Sequence, residues 1–157
     1  MSVAFRREGD EEHLEPKFEI PIPPGPNLVT PRGLVLIGEK LAALEAELAA
    51  LLASAGEEAQ IKALKRDIRY WTTRQITAEL VPAPDGSVVA IGTRVGFTLN
   101  GKRRDLSIVG DDEADPAQGS IAFSAPLARA LIGGEEGELL PFNGKDDAIE
   151  VLEIGVI

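Results

Sequence analysis

Cysteine is absent from this 157-residue chain and histidine occurs once, which excludes a disulfide framework, a thiolate zinc site and a nitrogen-rich metal site. Aromatic residues are scarce, at 4%, and a deep apolar pocket is correspondingly disfavoured. Basic residues number 16 against 26 acidic ones, for a formal charge of -10. That balance opposes unaided nucleic-acid binding, because Lys and Arg neutralising phosphates supply most of such affinity. No run of about 18 apolar residues occurs that could span a bilayer, and the opening MSVAFRREGDEEHLEP lacks the apolar stretch of a secretory signal. A cytoplasmic chain with no membrane partner is expected, one that meets nucleic acid only through a partner.

What is present falls into segments. Residues 1–29 are charged and then proline-rich, with PIPPGP at 21–26, which disfavours helix and sheet ladders and predicts a flexible or extended acidic leader. His13 lies among acids there and is expected to be solvated. From Thr30 the pattern changes. Thr30 is a good N-cap, Pro31 suits the first helical position, and Leu34, Ile37, Leu41, Leu44, Leu48 and Leu51 alternate at spacings of 3 and 4. Ser54, Ala55 and Gly56 break this seam. Ile61, Leu64, Ile68, Trp71, Gln75 and Ala78 then resume it until Pro82. A short turn between such helices predicts an antiparallel coiled-coil hairpin over residues 30–81, each arm about 33 Å long at 1.5 Å per residue. Lys62, Lys65, Arg66 and Arg69 flank the second seam and are expected to pair with Glu39, Glu45 and Glu47 of the first helix.

Beyond Pro82 the period becomes two. Val95, Phe97 and Leu99 lead into Asn100-Gly101, a hairpin signal, with Leu106 and Ile108 on the far side. Further strands are expected at 120–123, 137–142 and 148–154, with a short helix capped by Ser124 and ended by Gly133-Gly134. The overall expectation is an α+β chain, a helical hairpin followed over residues 82–157 by an antiparallel sheet with one short helix.

The stretch IVGDDEADPAQG places Asp111, Asp112, Glu113 and Asp115 between a strand and a turn. Four acids could hold a hard cation weakly, although no calcium-loop spacing is present. They could equally form a turn, with Asp115-Pro116 to Gly119 as its frame and Asp111 or Asp112 bonding loop amides.

The run IVGDDEADPAQGSIAFSAPLARALIGGEEGELLPF resembles the C-terminal domain of the bacterial GreA/GreB transcript cleavage factors. VTPRGLVLIGEKLAAL and RDIRYWTTRQITAELV resemble, more weakly, the two ends of that family's coiled coil. The resemblance implies a coiled-coil arm entering the secondary channel of RNA polymerase and an FKBP-like domain docking at the channel entrance. It makes Asp111, Asp112, Glu113, Asp115, Ser124, Pro126, Leu127 and Arg129 candidate polymerase-binding residues, with the metal reading in the minority.

One departure from the family pattern decides what is carried over. Cleavage-stimulating members hold an Asp and a Glu in a Gly-Asp-Leu-Ser-Glu-Asn type loop at the coiled-coil tip, where they help hold a magnesium ion in the polymerase active site. The corresponding turn here is ALLASAGEEAQIKAL, and each arm is about two turns shorter, roughly 10 Å at 5.4 Å per turn. Metal chemistry needs carboxylate oxygens about 2 Å from magnesium, so the resemblance implies occupancy of the channel without efficient cleavage, as in Rnk-type members with truncated coiled coils. Glu57 and Glu58 remain candidate tip acids, and a helix start also favours acids through its dipole. Accordingly, no catalytic residue, cofactor or metal ligand is assigned to the chain, magnesium enters only through polymerase, and a monomer is expected. A cleavage factor using Glu57 and Glu58, or an FKBP-like prolyl isomerase or peptide-binding module, are the alternatives. The isomerase is disfavoured because the C-terminal half offers only Phe97, Phe123 and Phe142.

Overall fold

The computed structural model describes residues 19–157; His13 and the charged part of the leader lie outside them. The described chain forms two compact units, residues 19–24 with Gly38–Ile76, and Gly25–Ile37 with Thr77–Ile157. No helix among the described residues is long and apolar enough to cross a membrane.

In the first unit, α1 (Pro31–Ala53, which begins in the other unit) and α2 (Glu58–Thr77) are joined by a short turn. At 1.5 Å per residue they measure about 35 and 30 Å. Leu41 and Leu64 are buried, while Leu44, Leu48, Leu51, Ile61, Ile68 and Trp71 are half-buried, as two helices packed by one stripe each require. The stripe is shorter than its sequence pattern, because Leu34 is 38% exposed and Gln75 is exposed. Among the described residues the expected ion pairs to Glu39, Glu45 and Glu47 of the first helix do not form. Arg69 instead pairs with Glu19, and Lys62 with Glu58 in its own helix.

The turn closes α1 in a Schellman arrangement, in which Gly56 N–H donates to Leu51 C=O at 2.8 Å and Ala55 N–H to Leu52 C=O at 3.4 Å. Ala55 sits at φ 56°, where a Cβ is strained. Ala55→Gly is therefore expected to raise stability by about 1 kcal/mol, read as a higher denaturant midpoint with an unchanged slope; an unaltered or lower midpoint would contradict the turn geometry.

The second unit contains a five-stranded sheet in the order β5-β4-β3-β7-β6, made of β3 (Thr93–Leu99), β4 (Lys102–Val109), β5 (Ser120–Ala122), β6 (Leu139–Phe142) and β7 (Lys145–Val156). The expected Asn100-Gly101 turn forms with φ 51° and 86°, both positive as a type I′ hairpin demands. Asn143-Gly144 repeats it at φ 51° and 79°, so β7 begins at Lys145 rather than Ala148. The sheet is mixed, not wholly antiparallel. β5 lies parallel to β4, with Ile108 opposite Ile121, because the loop after β4 brings the chain back along the same direction.

The core is one face of this sheet, including Val95, Phe97, Ile108, Ile149 and Val151, closed by Ala128 and Leu131 of α3 (Pro126–Leu131). On the other face Gly96 lies opposite Asp105 and Glu153 in the two neighbouring strands. A Cβ there would stand 2.9 Å from both Arg103 Nη2 and Asp105 Oδ1. Arg103 bridges Asp105 at 3.2 Å and Glu153 at 2.6 Å across that gap.

Two features differ from the periodicity-based reading. The second helix ends at Thr77, and Ala78–Leu80 forms β2, paired in parallel with β1 (Asn27–Val29). The leader therefore ends in ordered strand, with Asn27 and Val29 buried. Asn27 Nδ2 also donates to Thr77 Oγ1 at 3.2 Å.

Candidate functional site

The acidic loop follows β4 directly. Gly110, at its start, is a position of close backbone approach, where a Cβ would lie 2.6 Å from the Leu28 carbonyl oxygen. Only glycine lets the loop pass so near the strand that precedes α1. This brings Glu113 to the start of that helix. Thr30 Oγ1 accepts from Gly33 N–H at 3.0 Å, capping α1 as expected, and donates its own proton to Glu113 Oε1. A Cβ on Gly33 would stand 2.9 Å from the same carboxylate oxygen. Glu113 is thus seated over a helix N-terminus, where partial positive charge favours an anion.

Asp111 is also engaged internally, accepting from Ser124 Oγ at 2.6 Å. That bond removes Ser124 from the capping role expected of it. The residue at the N-cap of α3 is Ala125, which has no side chain able to cap, and Pro126 follows with no N–H to satisfy. Asp112 is half-buried. Asp115 is exposed, precedes the 3-10 turn Pro116–Gln118 without capping it through its side chain, and is held through its backbone N–H by Ser120 at 2.9 Å to the hydroxyl and 3.1 Å to the carbonyl. Among the described residues no group of three or more acidic or histidine side chains is placed to hold a metal ion.

The eight residues of the candidate docking set divide by place. Asp111, Glu113 and Ser124 hold the loop to its own domain, Asp112 is half-buried beside them, and Leu127 packs on the core. Asp115, Pro126 and Arg129 are exposed, and the last two share one side of α3 at a spacing of three. The sequence marks Thr30 only as a cap, and nothing local in it signals the link to Glu113, 83 residues away. Thr30→Ala is expected to lower stability by about 1–2 kcal/mol, since it removes the cap and the carboxylate's donor together. Urea unfolding would check this, and a loss below roughly 0.5 kcal/mol would show that the cap contributes nothing.

At the hairpin tip Glu57 is the N-cap residue, its carbonyl accepting from Ile61 N–H at 3.1 Å, and Glu58 opens α2. Both are exposed, and Glu58 stands 3.8 Å from Lys62 one turn on. The C-terminal unit also carries an open apolar groove lined by Leu28, Val81, Pro84, Ile91, Phe123 and Ile132.

Residues 83–155 match the family profile described as "Transcription elongation factor, GreA/GreB, C-term". The match spans the C-terminal domain almost end to end, so that part of the chain is similar to the C-terminal domain of GreA/GreB factors. Among relatives, transcription elongation factor GreA of Pseudomonas putida is 33% identical over 96 residues, covering 60% of each chain. GreA of Thermomicrobium roseum is 36% identical over 98 residues, 60% of this chain and 61% of its own. The chain thus spans about three fifths of these relatives' length. Among solved structures, the GreA factor homolog 1 protein of Thermus thermophilus aligns with 83% of this chain and 99% of its own, at 19% identity and a TM-score of 0.37. The GreA/GreB match begins at Ala83, just after β2, so the acidic loop and α3 lie within it.

Proposed function

We propose that the chain is a transcription elongation regulator that binds RNA polymerase through its GreA/GreB domain and occupies the secondary channel with a short coiled-coil arm, without efficient transcript cleavage. In this reading the hairpin of α1 and α2 forms the arm and residues 82–157 the docking domain. The observation that carries it is the family match over residues 83–155, which contains the candidate docking loop and α3. Asp115, Pro126 and Arg129 supply the exposed contacts, while Asp111, Glu113 and Ser124 set the loop that presents them.

The absence of efficient cleavage rests on the tip. Glu57 and Glu58 open a helix, where its dipole already favours carboxylates, and Glu58 has a lysine one turn away. By the resemblance each arm is about two turns shorter than the family's, and arms of about 35 and 30 Å would then stop short of the polymerase metal. The chain itself then performs no chemistry, and magnesium remains a component of the polymerase site. Capture of purified core polymerase by the immobilised full chain tests the reading. Retention is expected, and failure to bind in the purified system would remove it.

A further inference from the structure

The basic residues of α2 carry an inference independent of the polymerase reading. Lys62, Lys65, Arg66 and Arg69 recur at intervals of 3, 1 and 3, so all four lie on one side of the helix. Among the described residues the acids against them are Glu58 and Glu19. Lys62 pairs with Glu58, both side chains being more than three quarters exposed, and Glu19 acts on both Arg66 and Arg69. The Arg66 Nε is buried and has no hydrogen-bond partner among the described residues, an unusual state for a guanidinium donor. At the end of the stripe Arg69 is gripped by Glu19, with Nε donating to Oε2 at 3.1 Å and Nη2 to Oε1. That bond, donated by Arg69, holds the Glu19 carboxyl below its ordinary value.

Glu19 is the first described residue, and the sequence before it is matched in charge to the stripe. Glu8, Asp10, Glu11, Glu12 and Glu15 are five acids within eight residues. The reach is sufficient. Lys62 lies seven residues from Arg69, or about 10 Å along the helix, and the four residues from Glu19 back to Glu15 span up to about 13 Å when extended. We infer that the acidic segment Glu8–Glu15 of this chain is the ligand of the α2 basic stripe, continuing from the Glu19–Arg69 pair.

The cysteine-free sequence permits a direct test on the full chain. Leu14→Cys combined with Lys62→Cys is compared with Leu14→Cys combined with Glu45→Cys on α1, and intramolecular disulfide formation is timed in a glutathione buffer. The first pair is expected to close about tenfold faster at roughly 0.01 M salt, with the advantage vanishing near about 1 M, where the screening length falls from about 30 to about 3 Å. Adding E11Q, E12Q and E15Q should abolish the advantage at low salt. Equal rates for the two pairs, or an advantage indifferent to both salt and the glutamine changes, would overturn the inference. Circular dichroism of each variant confirms that the helices are retained.

Discussion

Phe97→Ala is expected to cost about 3–5 kcal/mol and to abolish cooperative unfolding of the C-terminal domain at moderate denaturant. Phe97 has no exposed surface, sits in the central strand of the five-stranded sheet, and belongs to the cluster that Leu131 of α3 completes. Removing the ring loses its transfer free energy and leaves a cavity that a sheet clamped by β4 on one side and β7 on the other cannot collapse around. The bulge beside it, where Gly96 pairs with Glu153 but Phe97 with Val151, fixes the side chain's direction and limits relaxation further. Urea unfolding followed by circular dichroism provides the check. A loss under about 1.5 kcal/mol would be typical of a site that repacks and would contradict the assignment of Phe97 to the centre of the core.

The second large effect concerns binding. Asp115→Lys with Arg129→Glu and Pro126→Ser is expected to weaken binding to core polymerase by at least about a hundredfold, roughly 3 kcal/mol. All three side chains are exposed and none has an internal role comparable to that of Asp111, Glu113 or Ser124. The domain should therefore keep its thermal midpoint. Leu127→Ser gives the contrast. Because Leu127 packs against the core cluster, its replacement should lower stability as well as binding. A triple variant that binds as tightly as the parent chain would remove α3 and the acidic loop from the interface.

The legible parts of the fold were those specified locally. Thr30 caps because a hydroxyl before Pro31 has one obvious use, and Asn100-Gly101 turns because two consecutive positive φ values suit few other pairs. Asn143-Gly144 carried the same signal, and its hairpin could have been read equally well. What escaped depends on distant partners. The 3-4 spacing runs through Gln75 and Ala78 without interruption. Helix propensity therefore gives no reason to stop at Thr77; the stop belongs to the pairing of Ala78–Leu80 with a strand some 50 residues earlier. Ser124 looked like a cap until Asp111 claimed its hydroxyl. Arg74, only 1% exposed, gave no sign of burial, since an arginine in a last helical turn is ordinarily solvated. Within the candidate site, the family resemblance proposed the docking set, and only the geometry separated residues that shape the loop from those exposed on it.

The central claim is channel occupancy without cleavage, and RNA release from backtracked elongation complexes tests it most directly when binding is followed in the same samples. The account predicts that the full chain binds, releases no short RNA in the presence of magnesium, and behaves identically after Glu57→Ala and Glu58→Ala, since neither carboxylate reaches the polymerase metal. Prompt release of short RNA by the parent chain, lost in the Glu57/Glu58 variant while binding is retained, would contradict the account and make the chain a cleavage factor with acids relocated to the tip of a short arm.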